Sequence, residues 1–147
     1  MNQLPQRWPL LTGCFLMSKA AIPHLMQRGS GSVIHVASQL GSVGASERAV
    51  YCAVKGALIY LARAMAVDHS PHGIRVNTLS PGGVETDRLV YRFGSMDAAN
   101  QAIGGRHLAG RLGQVQEIAA AAVFLASDAS SFMTGADLLV DGGYTAI

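Results

Sequence analysis

The spacing of apolar positions changes along the chain and divides it into elements. Residues 12–27 (TGCFLMSKAAIPHLMQ) place apolar side chains at helical intervals and predict a helix, which Pro23 is expected to kink or interrupt. Gly29-Ser30-Gly31 signals a turn, and residues 32–37 (SVIHVA) read as a short β-branched strand. Residues 39–47, rich in Gly and Ser, predict a loop. A long helix follows over residues 49–68, apolar on more than one stripe and so expected to be buried on several sides. The segment HSPHG ends it, and residues 74–79 (IRVNTL) form a second predicted strand. Pro81-Gly82-Gly83 is a turn, residues 85–110 read as part helix and part loop, and residues 114–126 (QVQEIAAAAVFLA) as a helix. Another turn is expected over residues 129–133, then a last strand, DLLV at 137–140, closed by Asp141-Gly142-Gly143.

Helices thus alternate with short apolar strands, a pattern that requires parallel pairing and right-handed crossovers. The expected fold class is α/β: half of a doubly wound parallel sheet, with about three strands and flanking helices. Nothing before residue 32 reads as a strand.

Composition adjusts this picture. The 147 residues fit one domain, and a chain that is 50% hydrophobic is not a disordered one. Only 14% of residues are charged, against a usual share of ~25%. So little solvated surface implies either burial against partner chains or an incomplete fold. Net charge is +2 and the basic residues are scattered, which argues against nucleic acid as a partner. No apolar stretch is expected to reach the ~18 residues needed to span a bilayer. The start, MNQLPQRWPLL, lacks the pattern of a secretory signal, so a cytoplasmic protein without membrane attachment is expected. Cys14 and Cys52 read as small apolar residues without a disulfide. Among the histidines at 24, 35, 69, 72 and 107, only His69 and His72 have a ligand-like spacing, and no third ligand is near. No metal is expected.

The candidate chemistry begins with Tyr51 and Lys55. Four residues apart on a helix, they share a face about ~6 Å apart along the axis. A lysine charge beside a phenol stabilises the phenolate and suits it to proton transfer. Ser38 lies at the C-terminal end of the first predicted strand, where open α/β sheets bind ligands. A hydroxyl there is placed to hydrogen-bond a substrate oxygen. A Tyr-x-x-x-Lys pair alone occurs by chance in many helices, as packing residue plus solvated charge. The conjunction of motifs along the chain changes the weight.

From about Gly13 onward the sequence resembles the second half of a short-chain dehydrogenase/reductase. VIHVASQLGSVGASERAVYCAVKGAL resembles the family's serine strand, loop and Tyr-x-x-x-Lys helix, with the family's common Ser-to-Tyr spacing of thirteen. IRVNTLSPGGVETD resembles the strand and Pro-Gly turn that follow, and GRLGQVQEIAAAAVFLASDASSFMTGADLLVDGGY the C-terminal helix, turn and last strand. The resemblance implies the C-terminal half of a Rossmann-like sheet and hydride transfer between NAD or NADP and a secondary alcohol or ketone. It implies Tyr51 as general acid/base, Lys55 as its partner and holder of the nicotinamide ribose, and Ser38 as orienter of the substrate oxygen. Pro81, Gly82, Val84 and Thr86 would line the nicotinamide side with Tyr51 and Lys55. Ser38, Gln39 and Gly83 would face the substrate. Asn77 would be a scaffold residue. The stretch after the Pro-Gly turn, with Tyr91, Phe93 and Met96, would form a moderately apolar lid, and Arg88, Arg92 and Arg106 read as surface charges.

The sequence also departs from the family's pattern. The Gly-rich turn that cradles a pyrophosphate does not precede residue 29, and neither do the Asn-Asn-Ala-Gly segment and the residue that separates NAD from NADP. Leu10 stands where the family has an asparagine, so residues 1–11 are expected to be a non-family leader on a single truncated domain, although Trp8 matches a tryptophan common near that site. An unpaired strand edge and uncovered helix faces predict association, as a homo-oligomer (dimer or tetramer) or with a complementing segment. Two readings stand beside the enzyme: a non-catalytic oligomerising module that keeps the family's helix interface, and a small-molecule binder using the Ser38/Tyr51 pocket.

Overall fold

The computed structural model describes residues 4–147, with side chains from Trp8 onward. Its strands are β1 (Gly31–Val36), β2 (Ile74–Pro81) and β3 (Asp137–Val140). They pair in parallel in the order β1-β2-β3, with Val33 opposite Val76 and Leu79 opposite Leu138. Helix α1 (Leu4–Arg28) precedes β1, α2 (Ala49–His69) links β1 to β2, and α5 (Val115–Ala126) precedes β3. Two short helices, α3 (Asp87–Phe93) and α4 (Met96–Ile103), fill the stretch after β2. The half of a doubly wound sheet expected from the alternation is the architecture observed.

Strand alternation sends side chains to two different covers. On one face Ile74 and Val76 pack with Ile22 of α1 and Ala62, Met65 and Ala66 of α2, with Val33 against them. A second apolar cluster, Ala37, Leu58 and Ile59, lies nearer the carboxyl ends of the strands, with Leu11 and Cys14 of α1 beside it. On the other face Ser32 Oγ donates to the Leu125 carbonyl of α5 (2.8 Å), and the Arg75 guanidinium reaches Ser130 Oγ and the Ser127 carbonyl. Fully buried Leu58, Ile74, Val76, Leu79, Leu112 and Leu125 form the best-packed points of this frame, each stabilising by about 1.5–3 kcal/mol relative to exposure.

Asn77 has the scaffold role expected of it. Fully buried in β2, its amide donates to the Met133 carbonyl (2.9 Å) and accepts from Ala136 N–H (3.0 Å). The segment entering β3 is thereby fastened to the central strand.

Two expectations are corrected. Helix α1 begins eight residues before the predicted start and takes in Pro5 and Pro9. Pro5 lies in the first turn, where no intrahelical N–H bond is lost, and Pro9 removes only a bond to that first turn. The helix also continues through Pro23, which lies on its exposed face, where the carbonyl left without a donor meets solvent. Residues 1–3 of the proposed 1–11 leader lie outside the described residues. The second correction concerns α2. With its 3-10 extension it runs over residues 49–72 and holds an 18-residue window of mean hydropathy 1.5, long and apolar enough by composition to cross a bilayer. Its buried stripe, Val54, Leu58, Ile59, Ala62, Met65 and Ala66, is nevertheless that of a core helix laid on a sheet.

Candidate active site

The candidate residues converge because three chain segments end at one edge. Ala37 N–H, just beyond β1, donates to the Leu79 carbonyl (2.8 Å), and Pro81 of β2 pairs with Val140 of β3. The carboxyl ends of all three strands therefore open on the same side. Ser38 is the first residue past that edge. Its extended backbone (φ −171°, ψ 153°) caps the 3-10 turn Gln39–Gly41, and its buried Oγ accepts from Leu40 N–H at 3.2 Å.

That turn rests directly on α2. A Cβ at Gly41 would stand 2.8 Å from Ile59 Cδ1 and 2.9 Å from the Lys55 carbonyl carbon, so glycine permits the contact. Tyr51, half-buried, lies in the first turn of α2, and Lys55 one turn later with Nζ 5.8 Å from the Tyr51 ring centroid. The Lys55 side chain is only 9% exposed. Its ammonium donates to the Val36 carbonyl at 2.8 Å, tying α2 to the last residue of β1, two before Ser38. Burial pushes the Lys55 pKa below the usual lysine value. Cys14 on α1 opposes this shift, and the charge of Arg88 adds to it. Arg88 of α3 is itself exposed, as its reading as a surface charge requires.

The second half of the site is the turn after β2. Gly82 N–H donates to the Val140 carbonyl (3.0 Å) and Gly83 N–H to His107 Nε2 (3.0 Å), while the Gly83 carbonyl accepts from Gly113 N–H (2.8 Å). Val84 forms an isolated parallel bridge with Gly113, and Thr86, exposed, caps α3 without a side-chain bond. A Cβ on Gly82 would meet Asp141 Cα (2.8 Å), Gln39 Oε1 (2.8 Å) and His107 Nε2 (3.0 Å). Gln39, from the Ser38 loop, therefore touches the Pro-Gly-Gly turn. Its Oε1 is buried without a hydrogen-bond partner among the described residues. The predicted lid is split: Tyr91 is 95% exposed, whereas Phe93 and Met96 are half-buried.

Asp141 fixes the far wall. Burial opposes ionisation of its carboxyl, but hydrogen bonds from Thr145 Oγ1, Thr145 N–H and Gly143 N–H outweigh that and hold its pKa below the ordinary range. The approach of Asp141, Gln39 and His107 to Gly82 was not visible in sequence. In sequence His107 has no spacing that marks it out, and only the fold carries it to Gly83, 24 positions away.

The geometry can be set beside known proteins. A family model described as enoyl-(acyl carrier protein) reductase matches residues 10–145. The chain is 42% identical over 141 residues to 2-(S)-hydroxypropyl-CoM dehydrogenase 3 of Xanthobacter autotrophicus, covering 93% of this chain and 55% of that relative. It is also 42% identical to a protein of the same organism named inactive 2-(S)-hydroxypropyl-CoM dehydrogenase 2, with 93% and 61% covered. A solved gluconate 5-dehydrogenase from Burkholderia cenocepacia, in complex with NADP and tartrate, superposes with a TM-score of 0.86 at 38% identity, over 94% of this chain and 54% of that one. The chain spans about half the length of the proteins it matches. The parallel three-stranded sheet, the serine at its carboxyl edge and the Tyr-x-x-x-Lys helix across it agree with these likenesses: the chain belongs to the short-chain dehydrogenase/reductase family.

Proposed function

We propose that the site built by Ser38, Tyr51 and Lys55 is the proton-transfer end of an NAD(P)-dependent oxidoreductase acting on a secondary alcohol or ketone. The observation that carries this reading is the placement of Lys55. A buried ammonium on the Tyr51 face of α2 is anchored by one N–H to Val36 and leaves two for a ligand. Burial of that charge is costly, and a purely structural role would be met as well by an apolar side chain.

The residues fit a nicotinamide ribose: Lys55 can donate to its hydroxyls, and the backbone from Pro81 to Thr86 follows at the same sheet edge. The fit extends to the nicotinamide end of the coenzyme. No Gly-rich helix N-terminus suited to a pyrophosphate stands among the described residues. When bound, NAD(P) supplies the redox step, giving or accepting the hydride. Ser38 Oγ orients the substrate oxygen. Tyr51 takes the hydroxyl proton as an alcohol is oxidised and returns it as a ketone is reduced. The Lys55 charge favours the phenolate required in the first direction. Gln39 and Gly83 border the substrate side of the same edge. The relatives' names run from hydroxypropyl-CoM and a hydroxycyclohexanecarboxylate to L-fucose and a cyclohexadienediol, and we extend to this chain only what these share, a hydroxyl on a small molecule.

We further propose a cytoplasmic homo-oligomer, a dimer or tetramer, joined through α1 and α2. Phe15, Leu16 and Met17 of α1 and Tyr60 and Val67 of α2 are each at least half exposed, an apolar surface suited to association. Light scattering tests this: a species of twice or four times the chain mass is expected, and a clean 15.4 kDa monomer contradicts it.

The test of function is a fluorescence titration with NADH and NADPH, followed by turnover of secondary alcohols, on the unaltered chain and on Tyr51→Phe. Coenzyme binding in both proteins with turnover lost in the variant supports the enzyme. Absence of coenzyme binding in the unaltered chain overturns it in favour of an assembly module.

A further inference from the structure

We infer that His107 is a positioning residue for the coenzyme-side turn, acting as a side-chain clamp on Gly83. This rests on the reading of Pro81–Thr86 as the nicotinamide wall. Of the polar backbone contacts that fix Gly82 and Gly83, two are backbone to backbone: Gly82 N–H to Val140, and Gly113 N–H to the Gly83 carbonyl. The contact at Gly83 N–H alone among these is made by a side chain, His107 Nε2 at 3.0 Å. A single substitution can remove it without breaking a strand or helix.

The surroundings assign the tautomer. Gly83 N–H must donate, so Nε2 is the bare nitrogen. Nδ1, 3.2 Å from the Gly104 carbonyl, then carries the hydrogen and donates to it. The ring is 5% exposed, lies 5.4 Å from the Tyr144 ring in a tilted contact, and sits in a segment pinned by His107 N–H to Gly104 and by Ala109 N–H to Gly142. It cannot swing away without giving up both ring bonds. Gly82 and Gly83 are fitted to it: added Cβ atoms would come within 3.0 Å of Nε2 and 3.1 Å of Cε1. The imidazole shares this crowding with Asp141 Cα, 2.8 Å from a Cβ on Gly82, and Leu112 Cδ2, 2.9 Å from a Cβ on Gly83, so glycine is needed at both positions. Gln39 Oε1 meets Gly82 from the opposite loop. His107 thus holds the turn in place beside the segment that bears Ser38, and with it the spacing between the nicotinamide wall and the substrate side.

Two substitutions separate the clamp from general packing. Gln at 107 keeps an acceptor near the Nε2 position. Asn keeps a polar group only near Nδ1, able to meet Gly104 but too short for Gly83. Two readouts are taken on the whole chain: amide hydrogen exchange at Gly83 by NMR, and affinity for reduced nicotinamide mononucleotide. In His107→Asn, Gly83 exchange is expected to quicken about tenfold, the equivalent of one hydrogen bond. Affinity for the mononucleotide falls at least as much, while exchange at Val76 and Leu79 in the core strand is unchanged. In His107→Gln both site readouts return to near the unaltered values. Unchanged Gly83 exchange or unchanged affinity in His107→Asn overturns the inference, as does equal damage in both variants. If the unaltered chain does not bind the mononucleotide, the oxidoreductase reading fails instead, and Gly83 exchange still judges the clamp.

Discussion

Replacing Lys55 by methionine separates the cost of the site from its use. Methionine keeps most of the volume and removes the charge. On the debit side, the ammonium's bond to the Val36 carbonyl is lost, a charge-assisted contact of about 1.5–3 kcal/mol. Two effects offset this. Val36 is 54% exposed on the edge strand, so water can reach its vicinity and replace the lost donor. The variant also escapes the burial penalty of a cation, the first cause of the depressed Lys55 pKa. The expected net change in unfolding free energy at neutral pH is within about 1 kcal/mol of zero, in line with the near-neutral outcome of replacing buried charges by apolar side chains. Binding behaves differently. Two ammonium bonds to ribose hydroxyls, at about 1.5–3 kcal/mol each, are worth roughly two to four decades in coenzyme affinity. Urea unfolding and NADPH titration on the same samples read both quantities. The pH sign follows from linkage. With the folded pKa below the ordinary 10.5, the unfolded chain binds more protons between the two values, so stability rises with pH there. Lys55→Met abolishes that rise. A stability loss above about 3 kcal/mol would make Lys55 a structural strut, and unchanged NADPH affinity would remove it from the coenzyme site.

Two other substitutions probe the frame. Asn77→Ala strands the Met133 carbonyl and the Ala136 N–H. At about 1–3 kcal/mol for each unsatisfied group, urea unfolding should show a loss of roughly 2–6 kcal/mol, and a loss below that range contradicts the scaffold role of Asn77. Glu117→Gln breaks the two-pronged pair with Arg111 (2.9 and 2.7 Å) and the carboxylate's acceptance from Gln114 N–H. The Arg111 bond first, and then the Gln114 amide, hold the Glu117 pKa down at about 2. Its contribution is therefore present above the ordinary value of 4.5 and is lost as pH falls through about 2. The pair is fully exposed, so thermal melts should show a small effect that salt erases.

The parts of the fold legible in sequence were those set by local pattern. β-branched runs bounded by glycines gave β1 and β2, and helix signals gave α2 and α5. The start of α1 was missed because a proline in a first turn and a proline that breaks a helix look alike until the turn is located. Spacing alone put Tyr51 and Lys55 on one helix face, since both lie on one element. The bond from Lys55 to Val36 and the convergence of Gln39, His107 and Asp141 on Gly82 join segments far apart in the chain. They depend on the register of β1 against β2 and of β2 against β3, and no local pattern encodes them.

The central claim is that Ser38, Tyr51 and Lys55 move a proton while a hydride passes between a secondary carbon and a nicotinamide. Transfer of isotope tests it most directly. The chain is incubated with NAD or NADP and secondary alcohols deuterated at the carbinol carbon, including hydroxy acids and sugar acids, and the recovered coenzyme is examined by mass spectrometry. One deuterium on the reduced nicotinamide, absent with Tyr51→Phe, is the result this account predicts. Coenzyme recovered without deuterium across the set, or deuterium transfer undiminished in Tyr51→Phe, would contradict it.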